Sequence, residues 1–237
     1  MKLTILGNNG PYPCAGGACS GYLLRSDSGR TSLLIDCGTG VLASFSKVLD
    51  WDMLDAVILS HLHFDHMSDM LPTQYALQFH PRAEALPVYA PLTPAPVRAL
   101  LEVPAYALHP MEDAQIGEFS VRFFPGRHPV QSFAMRIACD GAAFVYTGDT
   151  NEIEGLDRFA EHADLLLADA GLSSADWKQA APHLSAAGCG RLARCAGVKR
   201  LLLTHLNPKY AHATLESEAR AEFDHAEIAE IGAEYAI

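Results

Sequence analysis

Residues 56–66 read AVILSHLHFDH, a short apolar run followed almost at once by four side chains that can bind a metal ion. The apolar run has the length of a buried strand. Because side chains two positions apart share one face of an extended chain, His61 and His63 are expected to point the same way, with Asp65 and His66 beside them. Imidazole and carboxylate groups suit Zn²⁺, with Mn²⁺ or Fe²⁺ as competitors, whereas this segment lacks the cysteines of a structural zinc site. The stretch therefore predicts a reactive metal site at the end of a strand.

Three further polar residues also follow apolar runs, namely His128, Asp149 and His205. Strand ends from different parts of a sheet converge on one edge, so these positions can complete a cluster that no single segment could build. Together with the first stretch they supply about as many ligands as two metal ions need. Taken singly, each of the three could instead cap a helix or form a buried hydrogen bond.

The chain has 237 residues, of which 49% are hydrophobic and 19% charged, a composition typical of globular proteins. We expect residues 1–237 to form a single domain, because one α/β domain often reaches this length. Six cysteines without a CxxC pair are too few for a disulfide framework. No apolar run approaches the roughly 20 residues of a membrane helix, and the run at residues 3–6 is too short for a signal peptide. We therefore expect a cytoplasmic protein without a membrane partner.

Acidic residues outnumber basic ones, with 28 Asp and Glu against 17 Lys and Arg, and the formal net charge is −11. A chain of this charge repels polyanions as a whole, which argues against extended nucleic-acid binding. A small anionic substrate is still compatible with it, because two zinc ions would add positive charge to a ligand set that contains only two carboxylates.

Short apolar runs bounded by Gly, Asp or His recur along the chain and are typical of strands. They lie at residues 3–6, 32–35, 56–59, 87–89, 119–124, 133–137, 142–146, 165–168 and 200–203. Helices are predicted at residues 41–49, 69–79, 184–196 and 214–231, with Gly197 just beyond the third and Thr214 as the N-cap of the last. Strand clusters in both halves, each followed by helices, favour two sheets covered by helices.

Prolines or glycines are concentrated in three segments of the chain. Residues 87–110 contain six prolines, which exclude an uninterrupted helix. This segment could form a mobile lid, but a rigid surface connection is the interpretation we favour. The glycine-rich stretches at residues 7–10 and 16–17 could let the backbone approach a substrate, yet no phosphate-loop lysine follows them and plain turns are favoured.

The order HxHxDH, a distant His, an Asp and a last His resembles the pattern of the metallo-β-lactamase superfamily, and the match spans residues 6–210. The resemblance implies an α+β fold, an αββα sandwich of two mixed β-sheets flanked by helices. It also implies two zinc ions and hydrolysis by a hydroxide that bridges them. By the same resemblance, one zinc ion is held by His61, His63 and His128, the other by Asp65, His66 and His205, and both by Asp149.

Within that superfamily, three segments resemble ribonuclease Z-like phosphodiesterases: LIDCG at 34–38, YTGDT at 146–150, and GVKRL at 197–201 running into THLNPKY at 204–210. The same relatives carry one more histidine, and PHLSAA at 182–187 puts His183 at the rim of the site. The chain is shorter than transfer-RNA-processing ribonuclease Z proteins and lacks their insertion rich in Gly and basic residues. Transfer-RNA maturation is therefore not expected. Dimerisation is common in these relatives, which leaves a homodimer open.

The first hypothesis is a dinuclear zinc-dependent hydrolase, a phosphodiesterase acting on a small or single-stranded nucleotide. Asp65 would bind a metal and accept a hydrogen bond from the attacking water, and His183 would contact a phosphoryl oxygen or protonate the leaving group. Asp36 and Asp169, which follow apolar runs, could orient metal-binding histidines or cap neighbouring elements. The alternatives are hydrolysis of a lactam, lactone or thioester at the same site, or a metal-retaining binding protein without turnover.

Overall fold

The strands form two seven-stranded mixed sheets in the computed structural model, which describes residues 1–80 and 82–237. In chain order the strands are β1 (Lys2–Gly7), β2 (Gly21–Arg25), β3 (Ser32–Ile35), β4 (Ala56–Ile58), β5 (Leu86–Tyr89), β6 (Tyr106–His109), β7 (Ala114–Ile116), β8 (Phe119–Pro125), β9 (Phe133–Cys139), β10 (Ala142–Tyr146), β11 (Leu165–Asp169), β12 (Leu201–Thr204), β13 (Ala226–Ile228) and β14 (Glu234–Ala236). The first sheet has the order β14-β1-β2-β3-β4-β5-β6, and the second β13-β12-β11-β10-β9-β8-β7.

Each sheet is antiparallel in one half and parallel in the other. In the first sheet the pairs from β14 to β3 are antiparallel and those from β3 to β6 are parallel. In the second sheet β7 to β10 pair antiparallel and β10 to β13 pair parallel. The parallel halves matter for function, because the carboxyl ends of parallel neighbours lie at one edge of a sheet.

The two sheets pack face to face through one apolar layer. Both sheets contribute to it, for example with Leu3 and Leu33 from the first and with Phe119 and Phe144 from the second, all fully buried. Side chains of β12 alternate between the two faces of its sheet. Leu202 packs in the layer between the sheets, whereas Leu201 and Leu203 pack in the layer between the second sheet and its helices.

Helices cover the outer faces of both sheets. They are α1 (Val41–Phe45), α2 (Phe64–Met67), α3 (Met70–Phe79), α4 (Ala95–Arg98), α5 (Leu156–Phe159), α6 (Ala186–Ala196) and α7 (His212–Arg220). Apolar residues of α1 and α3 pack on the first sheet, and those of α6 and α7 pack on the second. This arrangement confirms the expected αββα sandwich. In the part of the chain that the structure describes, no helix has both the length and the apolar character needed to cross a membrane.

The predicted helix over residues 214–231 is wrong in its extent. Helix α7 begins at His212, with Ala211 rather than Thr214 as its N-cap, and ends at Arg220. Ala226 and Ile228 then belong to β13, which pairs in parallel with β12. Sheet pairing outweighs the helical spacing here, because the open edge of β12 offers backbone partners to this segment.

Other boundaries also differ. The first predicted helix ends at Phe45 instead of residue 49, whereas Gly197 ends α6 in the left-handed conformation, as expected. Residues 87–110 form strands β5 and β6 at the edge of the first sheet, joined through α4 and a 3₁₀ turn at Ala99–Leu101. Strands β2, β6, β7, β13 and β14 were not predicted; the last four lie at or next to sheet edges.

Replacing Phe144 by alanine is expected to lower the free energy of unfolding by about 3–5 kcal/mol, because its buried ring fills the layer between the sheets. Urea unfolding followed by circular dichroism measures the change. The matched control is Phe79→Ala, whose ring is 82% exposed and whose loss should cost less than about 0.5 kcal/mol. Equal effects of the two substitutions would contradict the assignment of Phe144 to the core.

Candidate metal centre

Side chains at the carboxyl ends of several strands meet at one edge of the sandwich. His61 lies three residues beyond β4, Asp149 three residues beyond β10, and His205 directly after β12. Strand β8 runs in the same direction as β10 and leads to His128. Because neighbouring strands of one direction end at the same edge, the topology brings these distant residues together.

The segment after β4 changes from extended to helical within a few residues. His63 has extended backbone angles (φ −74°, ψ 152°), and α2 begins at the next residue. The extended part places His61 Nε2 3.0 Å from His63 Nδ1, as the spacing predicts. The first helical turn then brings Asp65 and His66 to the same edge, where both are buried.

One group of donor atoms is formed by His61, His63, His128 and Asp149, whose atoms all lie within 4.8 Å of one another. His128 Nε2 is 3.1 Å from His63 Nδ1, and Asp149 Oδ2 is 3.6 Å from His61 Nε2. Four donors about 2.0–2.1 Å from a tetrahedral zinc ion would be separated by about 3.3 Å. The spacing of this group fits such an ion.

A second group is formed by Asp65, His66 and His205. His205 Nε2 lies 3.0 Å from Asp65 Oδ2, and His66 Nε2 lies 3.6 Å from the same oxygen. Asp149 also reaches this group, with Oδ1 3.3 Å from His66 Nε2 and Oδ2 3.2 Å from His205 Nε2. Its carboxylate therefore stands between the two groups of donors.

The chemistry of the buried atoms fits metal ions. His66 Nε2 and Asp149 Oδ1 are buried and have no hydrogen-bond partner among the described residues, although they face each other. Buried polar atoms without a partner are costly, and a metal ion would satisfy both at once. All seven residues that the sequence pattern predicted as ligands meet at this centre, and their binding of metal stays a prediction.

Two buried carboxylates accept hydrogen bonds from Nδ1 of histidine rings at the centre. Asp36 Oδ2 accepts hydrogen bonds from His66 Nδ1 (2.8 Å) and the Tyr146 hydroxyl (2.9 Å), and Ser60 donates to both oxygens. Asp169 Oδ2 accepts from His183 Nδ1 at 2.9 Å. Such contacts orient a ring so that its other nitrogen faces the centre. Of the two roles that the sequence allowed for Asp36 and Asp169, the structure thus favours the support of histidines.

Charge and burial divide the histidines into two sets. Burial lowers the pKa values of His61, His63 and His128, so these rings are uncharged at neutral pH and each keeps one nitrogen without a proton. Burial also opposes charge on His66, but Asp149 and Asp36 outweigh it and raise its pKa to about 10. The pKa of His205 is likewise raised, against its burial, by Asp149, Asp169 and Asp65.

The carboxylate between these sets remains ionised. Burial raises the pKa of Asp149, yet the neighbouring rings of His205, His66 and His61 lower it well below its usual range. Without metal, protons on His66 and His205 balance the acidic side chains. A metal ion at the second group must therefore displace protons.

Some supporting residues carry no sequence signal. The Pro182 carbonyl accepts a hydrogen bond from His128 Nδ1 at 3.0 Å. The side-chain amide of Asn151 donates to backbone carbonyls of the loop that leads to Pro182, including Ala181 at 2.6 Å. Gly10 packs against His205, and a Cβ there would lie 2.1 Å from Nε2. The glycine turn at residues 7–10 thus makes a close approach to a histidine of the centre, which the plain-turn interpretation did not foresee.

Comparisons with known proteins agree with this geometry. A family profile described as a beta-lactamase superfamily domain matches residues 31–206. The protein named probable metallo-hydrolase YhfI, from Bacillus subtilis, is 35% identical over 235 residues, which cover 94% of each chain. Its crystal structure, that of a metallo-beta-lactamase fold protein, gives a TM-score of 0.92 over 99% of both chains at 34% identity.

Ribonuclease Z proteins are a second group of relatives. The ribonuclease Z of Mycolicibacterium gilvum is 30% identical over 246 residues, which cover 88% of this chain and 85% of that protein. The crystal structure of the short form of human tRNase Z shares the fold, with a TM-score of 0.82 at 21% identity over 100% of this chain and 99% of that chain. The chain therefore belongs to the metallo-β-lactamase superfamily of metal-dependent hydrolases and is related there to ribonuclease Z.

Proposed function

We propose that the protein is a dinuclear zinc-dependent phosphodiesterase that acts on a small or single-stranded nucleotide. The observation that carries the proposal is the position of the Asp149 carboxylate, with oxygens 3.2–3.6 Å from His61, His66 and His205. A carboxylate between two groups of nitrogen and oxygen donors suits a pair of zinc ions that share one ligand. The ribonuclease Z relatives support a phosphodiester as the bond that is cleaved.

Bound zinc ions would supply water with a pKa lowered toward about 7 and a positive clamp on the phosphodiester oxygens. The Asp65 carboxylate would orient the attacking water. Its Oδ2 contacts His205, and 9% of the residue remains exposed at the mouth of the centre. The carboxylate can therefore accept a hydrogen bond from the attacking water and hold the proton that the water loses.

We propose that His183 protonates the leaving group. Its Nδ1 donates to Asp169, which fixes the ring, and the side chain remains 18% exposed at the rim. Burial opposes charge on this ring, but the Asp169 and Asp149 carboxylates raise the pKa of His183. The protonated ring would then donate its Nε2 proton to the oxygen that leaves the phosphorus atom and become neutral. This proton transfer keeps an alkoxide from forming in the transition state.

Replacing His183 by alanine should slow hydrolysis of a dinucleotide roughly a hundredfold or more, because its sugar hydroxyl leaves poorly without a proton. Hydrolysis of bis(p-nitrophenyl) phosphate should change much less, because p-nitrophenolate is a good leaving group. Steady-state kinetics on both substrates, with metal content measured on the same samples, test the role. An equal loss on both substrates would contradict proton donation by His183.

The function is tested by incubating the zinc-loaded protein with bis(p-nitrophenyl) phosphate, a β-lactam, a lactone and a thioester. We expect turnover of the phosphodiester, loss of turnover in His66→Ala, and unchanged turnover in His225→Ala. His225 is a matched control because it is exposed and lies outside the clusters of metal-capable residues. Turnover of an acyl substrate alone would favour a lactam, lactone or thioester hydrolase. No turnover of any substrate would favour a binding protein.

A further inference from the structure

A basic pocket lies on the outer face of the second sheet, where β8 and β9 meet α5. It has a volume of about 460 Å³ and is lined by three arginines, Arg122, Arg136 and Arg158, and by the rings of Phe124 and Phe159. The two rings stack at a centroid distance of 5.2 Å. Three guanidinium groups around one pocket contrast with the net charge of −11 of the whole chain.

The positive charges of this pocket are only weakly compensated by the protein. Arg122 and Arg136 are directly opposite each other on β8 and β9, an arrangement that is unfavourable for like charges. The Arg122 side chain approaches Asp113 at 3.7 Å, but both side chains are more than 60% exposed. Arg158 has no ion-pair partner within 4.0 Å in residues 1–80 and 82–237.

Arg136 is held in place by neutral backbone acceptors. Its Nη1 donates to the backbone carbonyls of Phe159 (3.2 Å) and Glu161 (3.0 Å), both of which are neutral acceptors. Glu161 is the acidic side chain that lines the pocket, and its carboxylate approaches His162 at 3.9 Å. The pocket therefore presents one guanidinium group fixed by the backbone, together with those of Arg122 and Arg158.

The pocket is within reach of a short substrate bound at the metal centre. Phe124 precedes His128 by four residues, which limits their Cα separation to at most about 14 Å. On the other wall, Gly155 follows Asp149 by six residues. Arg127 connects the two walls, because its Nη1 donates to the Glu152 carbonyl at 3.4 Å.

We propose that this pocket binds a backbone phosphate of a short single-stranded oligonucleotide, one or more nucleotides away from the bond cleaved at the metal centre. This inference rests on the proposed phosphodiesterase function. Guanidinium groups match the oxygens of a phosphate, and adjacent aromatic rings offer a surface for a base. A pocket of this size suits a short strand, which agrees with the expectation against extended nucleic-acid binding.

The test compares the zinc-loaded protein with its Arg122→Gln and Arg158→Gln variants and with the control variant Lys47→Gln. Lys47 is exposed and follows α1, which packs on the first sheet, so it lies away from the pocket. Its replacement by glutamine removes the same single positive charge as each pocket variant. Binding is measured by fluorescence anisotropy with a labelled tetranucleotide whose phosphorothioate linkages keep the charges and resist hydrolysis. Kinetics are measured with the unmodified tetranucleotide and with bis(p-nitrophenyl) phosphate, which carries a single phosphate.

Each pocket variant should raise the Kd and the KM for the tetranucleotide about fivefold to tenfold, as expected for the loss of one hydrogen-bonded contact at a partly exposed site. Its kinetics on bis(p-nitrophenyl) phosphate should match those of Lys47→Gln. Equal Kd values in the pocket variants and Lys47→Gln would overturn the proposal. So would a raised Kd without a raised KM, because the pocket would then bind nucleotides that are not substrate. Failure of the proposed function appears separately, as absence of turnover of every phosphodiester by the unsubstituted protein.

Discussion

Replacing His66 by alanine is expected to remove one of the two proposed zinc ions and to lower the proposed phosphodiester hydrolysis by more than about a thousandfold. His66 Nε2 lies 3.3 Å from Asp149 Oδ1 and 3.6 Å from Asp65 Oδ2, so its loss leaves the second donor group with a single imidazole, that of His205. Loss of one stabilising donor in an active site already costs roughly 10²–10³ in rate. Loss of a metal ion also removes the charge that would stabilise the leaving oxygen.

The measurement combines metal analysis of the purified variant with its kcat/KM on bis(p-nitrophenyl) phosphate. Circular dichroism checks that the variant is folded, because the substitution also leaves Asp36 without one of its donors. His66→Gln, which keeps a polar side chain of similar length, separates a folding defect from a catalytic one. A folded variant that retains two zinc ions and full activity would refute the assignment of His66.

Asp36→Asn is expected to weaken zinc binding roughly 10- to 100-fold, although Asp36 does not face the metal centre directly. The Oδ2 atom accepts from His66 Nδ1, from the Tyr146 hydroxyl and from the Ser60 hydroxyl, while Oδ1 accepts from the Ser60 amide. In asparagine, an NH₂ group replaces one of the two carboxylate oxygens and can no longer accept a hydrogen bond. Whichever way the amide is turned, at least one of the donors from His66, Tyr146 or Ser60 then loses its acceptor. His66 also loses the negative charge that holds its ring in place.

The same substitution should lower the free energy of unfolding by about 1–3 kcal/mol, the usual penalty for an unsatisfied buried donor. Asparagine is the suitable replacement, because Asp36 has a left-handed backbone (φ 56°) that asparagine tolerates. Zinc affinity is measured by competition with a chromophoric chelator, and stability by urea unfolding. Asp52→Asn, at an exposed aspartate, is the control. Unchanged zinc affinity in Asp36→Asn would show that the ring of His66 needs no such support.

The net charge of the chain says less about a local anion-binding pocket than the positions of the charged residues in the fold. The net charge of −11 gives only the sum of all charges on the chain. Arg122, Arg136 and Arg158 come together because β8, β9 and α5 pack side by side. Their numbers in the sequence show no run of basic residues. A composition argument therefore cannot detect a local basic pocket of this kind, which depends on the register of Arg122 with Arg136.

Local patterns in the sequence determined much of the fold and the members of the centre. Apolar runs at residues 32–35 and 142–146 coincide with β3 and β10, because a short continuous run of bulky apolar residues favours a buried strand through local sequence alone. The HxHxDH stretch likewise fixes the relative positions of its own ligands, since they are separated by only a few bonds. The later His128, Asp149, His183 and His205 also meet there, and the resemblance in their order had predicted this.

Tertiary structure decided what depends on contacts between distant segments. Strand β13 exists because the edge of β12 accepts it, against the helical spacing of its apolar residues. Asp36 reaches Tyr146 across 110 residues, and Gly10 packs on His205 across most of the chain. The sequence by itself determined most of the strands, including β3 and β10, the helices α3 and α6, and the side chains that meet at the centre, because these follow from local periodicity and motif spacing. Only the packing of the two sheets decided which carboxylates, carbonyls and glycines support those side chains, because hydrogen bonds and close approaches depend on distances in space.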